Sequence, residues 1–223
     1  MHTNHQRDQF SYFAFGFIIL IFLILSIFLS PIEGVLSVNR LNSPFLDRFF
    51  TFVTNLGNGI VIVAFGVILC FRSIYLGVAL VTSGIFEAVI SSFCKRILFP
   101  SAGRPMSLID ESLVHVVPHV EIHTAMTFPS GHTVTIFGLC VFLALAFKNN
   151  YITILLALLS GLVAISRVYL LQHFVADIAG GALIGSFFAG LIYHSFEQMN
   201  KPQWMNIRLE VPLKSPKSKH KFS

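Results

Sequence analysis

Six stretches of roughly twenty apolar residues, each bounded by charged or turn residues, set the terms on which this chain can fold. They occupy 10–30, 50–71, 74–94, 130–147, 151–166 and 174–196. A helix needs about 20 apolar residues to cross about 30 Å of hydrocarbon, so each stretch is a candidate span, the fifth the shortest. With 55% hydrophobic and 11% charged residues the chain falls well below the roughly 25% charge of a soluble domain, and its apolar surface must face lipid. Disordered, collagen-like and disulfide-framework classes are excluded on the same ground. Cys70, Cys94 and Cys140 all lie in apolar stretches and read as small buried hydrophobes. The first stretch exceeds a signal-peptide core, and Ser30-Pro31-Ile32 is no small-residue cleavage site, so it is read as a retained helix. The expected fold is all-α, a polytopic six-helix transmembrane bundle.

Six crossings put both termini on one side, and basic residues choose which. With the termini inside, Arg7, Arg72, Lys148 and six tail residues (Lys201, Arg208, Lys214, Lys217, Lys219 and Lys221) are cytoplasmic. Arg40, Arg48, Lys95, Arg96, Arg104 and Arg167 are then outside. The count favours cytoplasmic termini. The tail, with Glu210 its one acid, suits an anionic lipid surface and not nucleic acid.

Two clusters carry chemistry. The long connection 95–128 opens on Lys95-Arg96, passes Arg104-Pro105 and leads into Pro129-Ser130-Gly131-His132. The second cluster runs from Ser166-Arg167 to His173 and Asp177. By parity both lie at the same membrane face. Asp177 follows His173 by four residues, so on a helix starting there the two share a face and the carboxylate accepts from one ring nitrogen. The other nitrogen is left free to attack an electrophile. His132, at the start of the fourth span, is placed to protonate a departing oxygen. Lys95, Arg104 and Arg167 supply positive charge suited to an anionic reacting group. Ser130 and Gly131 stand where unpaired amides and the helix dipole favour an anion. No metal or other cofactor is implied, since cations take the part that two metal ions play elsewhere.

These motifs resemble those of the type 2 phosphatidic acid phosphatase superfamily: a Lys followed by Arg-Pro, then Pro-Ser-Gly-His, then Ser-Arg, five residues, His, three residues, Asp. The second and third match in full. In the first, eight residues separate Lys95 from Arg104 where the family has six, and Arg96 is the alternative cation. The resemblance spans 74–196 and implies that His173 is the nucleophile, Asp177 its partner and His132 the acid. It also implies an active site at the extracytoplasmic interface and hydrolysis of a lipid phosphate monoester or terminal diphosphate through a phosphohistidine. The protein is expected in a bacterial inner membrane, with envelope lipids as substrates: undecaprenyl diphosphate, the phosphates of lipid A, phosphatidylglycerophosphate or phosphatidic acid. A lipid-to-lipid phosphotransferase would use the same residues, and a transporter is the non-enzyme alternative. Residues 1–200 are expected to form one such domain and 201–223 a basic cytoplasmic tail.

Other polar residues have plainer readings. Arg40, Arg48 and Arg96 suit interfacial anchoring. Glu87 lies inside the third span, where an acid marks either a functional site or a pairing with an internal polar group. His115, His119 and His123 recur every fourth residue, but Pro118 interrupts a helix and the alternation with Val116, Val120 and Ile122 suits an extended interfacial segment. Gly180, Gly181 and Gly185 are expected to permit close helix packing.

Overall fold

A computed structural model describes residues 2–199. The tail 201–223 lies outside the described residues. Among these residues there are eight α-helices and no strand beyond one isolated bridge. They are α1 (His2–Phe28), α2 (Pro31–Asn39), α3 (Pro44–Thr54), α4 (Gly59–Arg72), α5 (Ile74–Phe93), α6 (Gly131–Phe147), α7 (Asn150–Tyr169) and α8 (Val175–Gln198).

Local chemistry sets most of the boundaries. Ser30 and Glu33 close a capping box with Pro31 at the first turn of α2. Ser43 caps α3 just before Pro44, and Asn58, Ser73 and Asn149 each accept an amide at the start of α4, α5 and α7. Lys148 ends α6 in the left-handed region, with φ 51°.

The second apolar stretch is not the single helix that its composition predicts. It breaks at Asn55–Asn58, and α3 and α4 meet at 59°. Among the described residues four segments are long and apolar enough to cross a membrane: His5–Phe28, Ile74–Leu98, Asn150–Tyr169 and Val175–Gln198. The bent pair makes a fifth if it counts as one span, and α6, at 17 residues, is shorter. α6 is the buried axis, enclosed from Val134 through Leu145 apart from Thr135. That explains why it is apolar on all sides.

α8 crosses α6 closely because glycines remove the side chains that would hold them apart. A Cβ at Gly181 would lie 2.8 Å from the Ser130 carbonyl oxygen, and one at Gly185 would overlap the Val134 carbonyl. The outer faces of α1, α4 and α7 stay apolar and exposed, as lipid-facing surfaces do, with Phe13, Phe17, Ile68 and Leu155 among them.

The helix ends sort by chemistry. Lys148 lies 3.8 Å from Asp8 and 3.4 Å from Glu197 at one end of the bundle. The end of α5, the starts of α6 and α8 and the end of α7 gather at the other.

Candidate active site

The connection after α5 folds back on itself. A π-helical turn, Cys94–Leu98, extends α5, and the Arg104 amide donates to the Thr124 carbonyl while the Thr127 amide donates to that of Ala102. This pairing fixes Arg104 and Thr127 on facing arms. A π-turn holds one residue more than an α-turn, which takes up part of the longer spacing between Lys95 and Arg104. Lys95 reaches the start of α6: a Cβ placed on Gly131 would lie 3.5 Å from its Nζ. Lys95 and Arg104 line a polar recess of about 450 Å³, with the exposed Arg96 beside them.

Both arginines are buried and held by neutral acceptors. Arg104 donates from Nε to the Ala125 carbonyl and from Nη1 to Gln172 Oε1 at 3.1 Å. Arg167 donates from Nη1 to Thr54 Oγ1 at 2.7 Å, and its Nε has no partner. Among the described residues neither pairs with a carboxylate at ion-pair distance, so each keeps its charge for an incoming anion. Burial lowers the Arg104 pKa from the ordinary guanidinium value, with Asp177 opposing. A guanidinium in that position gains more from an anion than a solvated one does.

His173 does not sit on α8 beside Asp177. It precedes the helix, and Asp177 occupies the third helical position, where Oδ2 accepts the Phe174 amide at 2.7 Å. The same oxygen accepts the Thr127 hydroxyl proton and lies 3.5 Å from His173 Nδ1. His173 Nδ1 is 3.3 Å from Thr127 Oγ1. Because Thr127 gives its proton to the carboxylate, its oxygen can only accept from the ring, which puts the imidazole proton on Nδ1 and leaves Nε2 as the basic nitrogen. Burial pushes the His173 pKa down to about 4 against the pull of Asp177, so the ring is neutral near pH 7.

The two full motifs are joined through backbone. The Ser130 amide donates to the Asp177 carbonyl at 3.1 Å, and the Ser130 hydroxyl accepts from Thr133. Ser130's own amide is therefore committed, contrary to the unpaired state expected for it, while its hydroxyl proton remains to donate. The first intrahelical bond runs from the Val134 amide to the Ser130 carbonyl, so the amides of Gly131 and His132 open the helix ahead of it. His132 is held from the far side by the α3–α4 break, where a Cβ on Gly57 would come within 2.8 Å of the His132 Cβ.

Lys95, Arg104, Ser130, Gly131, His132, Arg167, His173 and Asp177 thus come together at one end of the bundle. Thr127, Thr54 and Gln172 are the positions that sequence reasoning missed. Gln172 lay inside the third motif; nothing local marked the other two as partners of residues 46 to 113 positions away. The loop histidines do not converge. His115 pairs with Asp47 at 2.9 Å, His123 stands 3.8 Å from Glu121, and His119 turns with φ 67°.

Residues 72–201 match the PAP2 superfamily. Over 175 residues the chain is 29% identical to the Lipid A 4'-phosphatase of Bacteroides thetaiotaomicron, covering 74% of this chain and 77% of that one. The crystal structure of LpxE from Aquifex aeolicus superposes with a TM-score of 0.65 at 26% identity, over 75% of this chain and 96% of that one. The first transmembrane PAP2 type phosphatidylglycerolphosphate phosphatase from Bacillus subtilis superposes at 0.57 and 22% identity, over 85% and 98%, and shares the fold.

Proposed function

The chain belongs to the PAP2 superfamily, and from that premise we propose that it removes phosphate from a membrane lipid of the lipid A class by way of a phosphohistidine. It is an integral membrane protein. The observation that carries the reading is the convergence of three cations, a helix amino end and two histidines at one end of the bundle, with one imidazole held in the tautomer that leaves Nε2 as the basic nitrogen. The lipid A class is favoured over the other envelope lipids by the name of the curated relative.

In this reading His173 Nε2 attacks phosphorus, and the bond to the leaving oxygen breaks as His132 gives it a proton. Lys95, Arg104, Arg167, the Ser130 hydroxyl and the Gly131 amide bear the charge on the non-bridging oxygens. Water then attacks the phosphorus–nitrogen bond, His132 takes its proton, and His173 is released. Asp177 holds the ring and stabilises its positive charge throughout. No metal ion enters the scheme.

The test is a panel of lipid phosphates offered to the purified protein in detergent with excess chelator, every lipid product being identified. Free phosphate and dephosphorylated lipid A-type product are expected. A second phosphorylated lipid would mean transfer, and activity lost on chelation but restored by zinc would overturn metal independence. Rapid quenching with labelled substrate should trap acid-labile, base-stable label on the native protein and none on His173→Asn; label on that variant would overturn the nucleophile. The basic residue count supports cytoplasmic termini and an outward-facing site. A reporter active only outside the cytoplasm should work when inserted near Asp110 and fail after Ser223, and the reverse would turn the molecule over.

A further inference from the structure

Thr54 lies outside residues 72–201, which match the family, and outside every motif, yet it touches the site. Among the other buried polar side chains, Glu87 pairs with Ser83 and packs against Gly138, away from the chemistry. Thr54 ends α3, and its Oγ1 accepts from Arg167 Nη1 at 2.7 Å. A hydroxyl in a helix commonly returns to a carbonyl of the preceding turn; this one meets a side chain 113 residues away.

The sequence of α3 holds that oxygen in place. Asp47, Phe50 and Thr54 are spaced by three and four residues and so share one face. That face meets the end of α7: the Tyr169 hydroxyl donates to Asp47 Oδ1 at 2.5 Å, and the rings of Phe50 and Tyr169 stand 4.6 Å apart. His115 ties Asp47 to the long connection as well, at 2.9 Å. Beyond Thr54 the chain bends, and a Cβ on Gly57 would lie 2.9 Å from the His132 carbonyl oxygen. Thr54 is thereby fixed from both sides along the chain.

Arg167 needs such a fixed point. Its carbonyl accepts the amides of Gln172 and His173 at 2.9 and 3.1 Å, so its backbone is tied to that of the nucleophile. Its side chain is long and jointed, and among the described residues Thr54 supplies the one hydrogen bond to its guanidinium. Arg104, by contrast, is gripped through both Nε and Nη1. A carboxylate at position 54 would hold Arg167 harder but would cancel the charge that a phosphate needs. A hydroxyl orients the group and leaves it charged.

We propose that Thr54 is a positioning residue for phosphoryl transfer: by accepting from Nη1 it sets the plane of the Arg167 guanidinium toward the phosphate oxygens, and the α3–α4 bend presents it. The assignment rests on the phosphatase reading with Arg167 on the phosphate. A cation oriented before the reaction stabilises developing charge at no cost of rearrangement, which is why a residue that never meets the substrate affects the rate.

The experiment is a double-mutant cycle on the full-length protein in detergent, with a lipid phosphate as substrate. Thr54→Val removes the acceptor and keeps the shape; kcat/KM should fall by about tenfold or more, and Thr54→Ser should restore most of it. In an Arg167→Met background the same Thr54→Val change should cost less than about threefold, because the group it acts on is gone. A loss of folded protein would lower both backgrounds alike, so the comparison separates positioning from packing. Equal losses in the two backgrounds, a Thr54→Val enzyme within about threefold of the native one, or a Ser variant as slow as the Val variant would overturn the positioning role while leaving the phosphatase reading intact. Native protein that releases phosphate from no lipid would overturn both.

Discussion

Replacing Thr127 with Val isolates the link between His173 and Asp177. The side chains are nearly isosteric and the site is buried, so the change deletes one hydroxyl and little else. That hydroxyl gives its proton to Asp177 Oδ2 and accepts at 3.3 Å from His173 Nδ1, while the direct separation of ring and carboxylate is 3.5 Å. Asp177 keeps the Phe174 amide at 2.7 Å, so the start of α8 remains capped. A hydrogen bond to a charged group contributes about 1.5–3 kcal/mol. If that is lost where the imidazole becomes cationic, a tenfold change per about 1.36 kcal/mol gives a kcat lower by about 10- to 150-fold. KM should move little, because Thr127 contacts His173 and Asp177 and does not line the recess beside Lys95 and Arg104. Thr127→Ser should restore most of the rate. Steady-state phosphate release and the rate of acid-labile label formation measure the effect. A Val variant within twofold of the native protein in both, or a Ser variant as impaired as the Val one, would refute the bridging role.

Protonation of His173 gives a second check. Its pKa lies near 4 in the folded protein against 6.5 for a free imidazole, so the unfolded chain binds a proton that the folded site refuses. The stability contributed by this group is complete above about pH 6.5 and is lost as pH falls toward 4. A ring titration followed by NMR should show the low midpoint, and Asp177→Asn should lower it further, because the carboxylate pulls it upward; a midpoint above 6 would contradict the burial. Packing gives a third. Gly185→Ala forces a methyl group onto the Val134 carbonyl and should lower thermal stability by about 1–3 kcal/mol, whereas Gly161→Ala, whose Cβ would meet Ile18 at 3.5 Å, should cost nothing. Equal melting temperatures for the two variants in detergent would refute the close crossing of α6 and α8.

What the sequence determined was whatever local physics dictates. Apolar run lengths mark the stretches that must leave water, because hydrocarbon admits a backbone only when its hydrogen bonds are closed within the segment. Caps such as Ser30, Ser43 and Ser73 mark boundaries because an orphan amide is satisfied by its own neighbours. The His and Arg motifs were legible because each is a short run of fixed order and spacing, close to where an apolar stretch begins or ends. The break at Asn55–Asn58 had a local sign in its Asn and Gly residues, yet its purpose is tertiary: Gly57 must pass His132 closely. His173 was read onto the helix because a spacing of four looks like a shared face. The fold instead spends Asp177 on the amide of Phe174, and Thr127 from another element completes the link. Thr54 beneath Arg167 and Gln172 against Arg104 likewise follow from which helix ends meet. Hydrogen bonds between residues far apart in the chain leave no periodicity or composition in either segment, so only the packed structure could decide them.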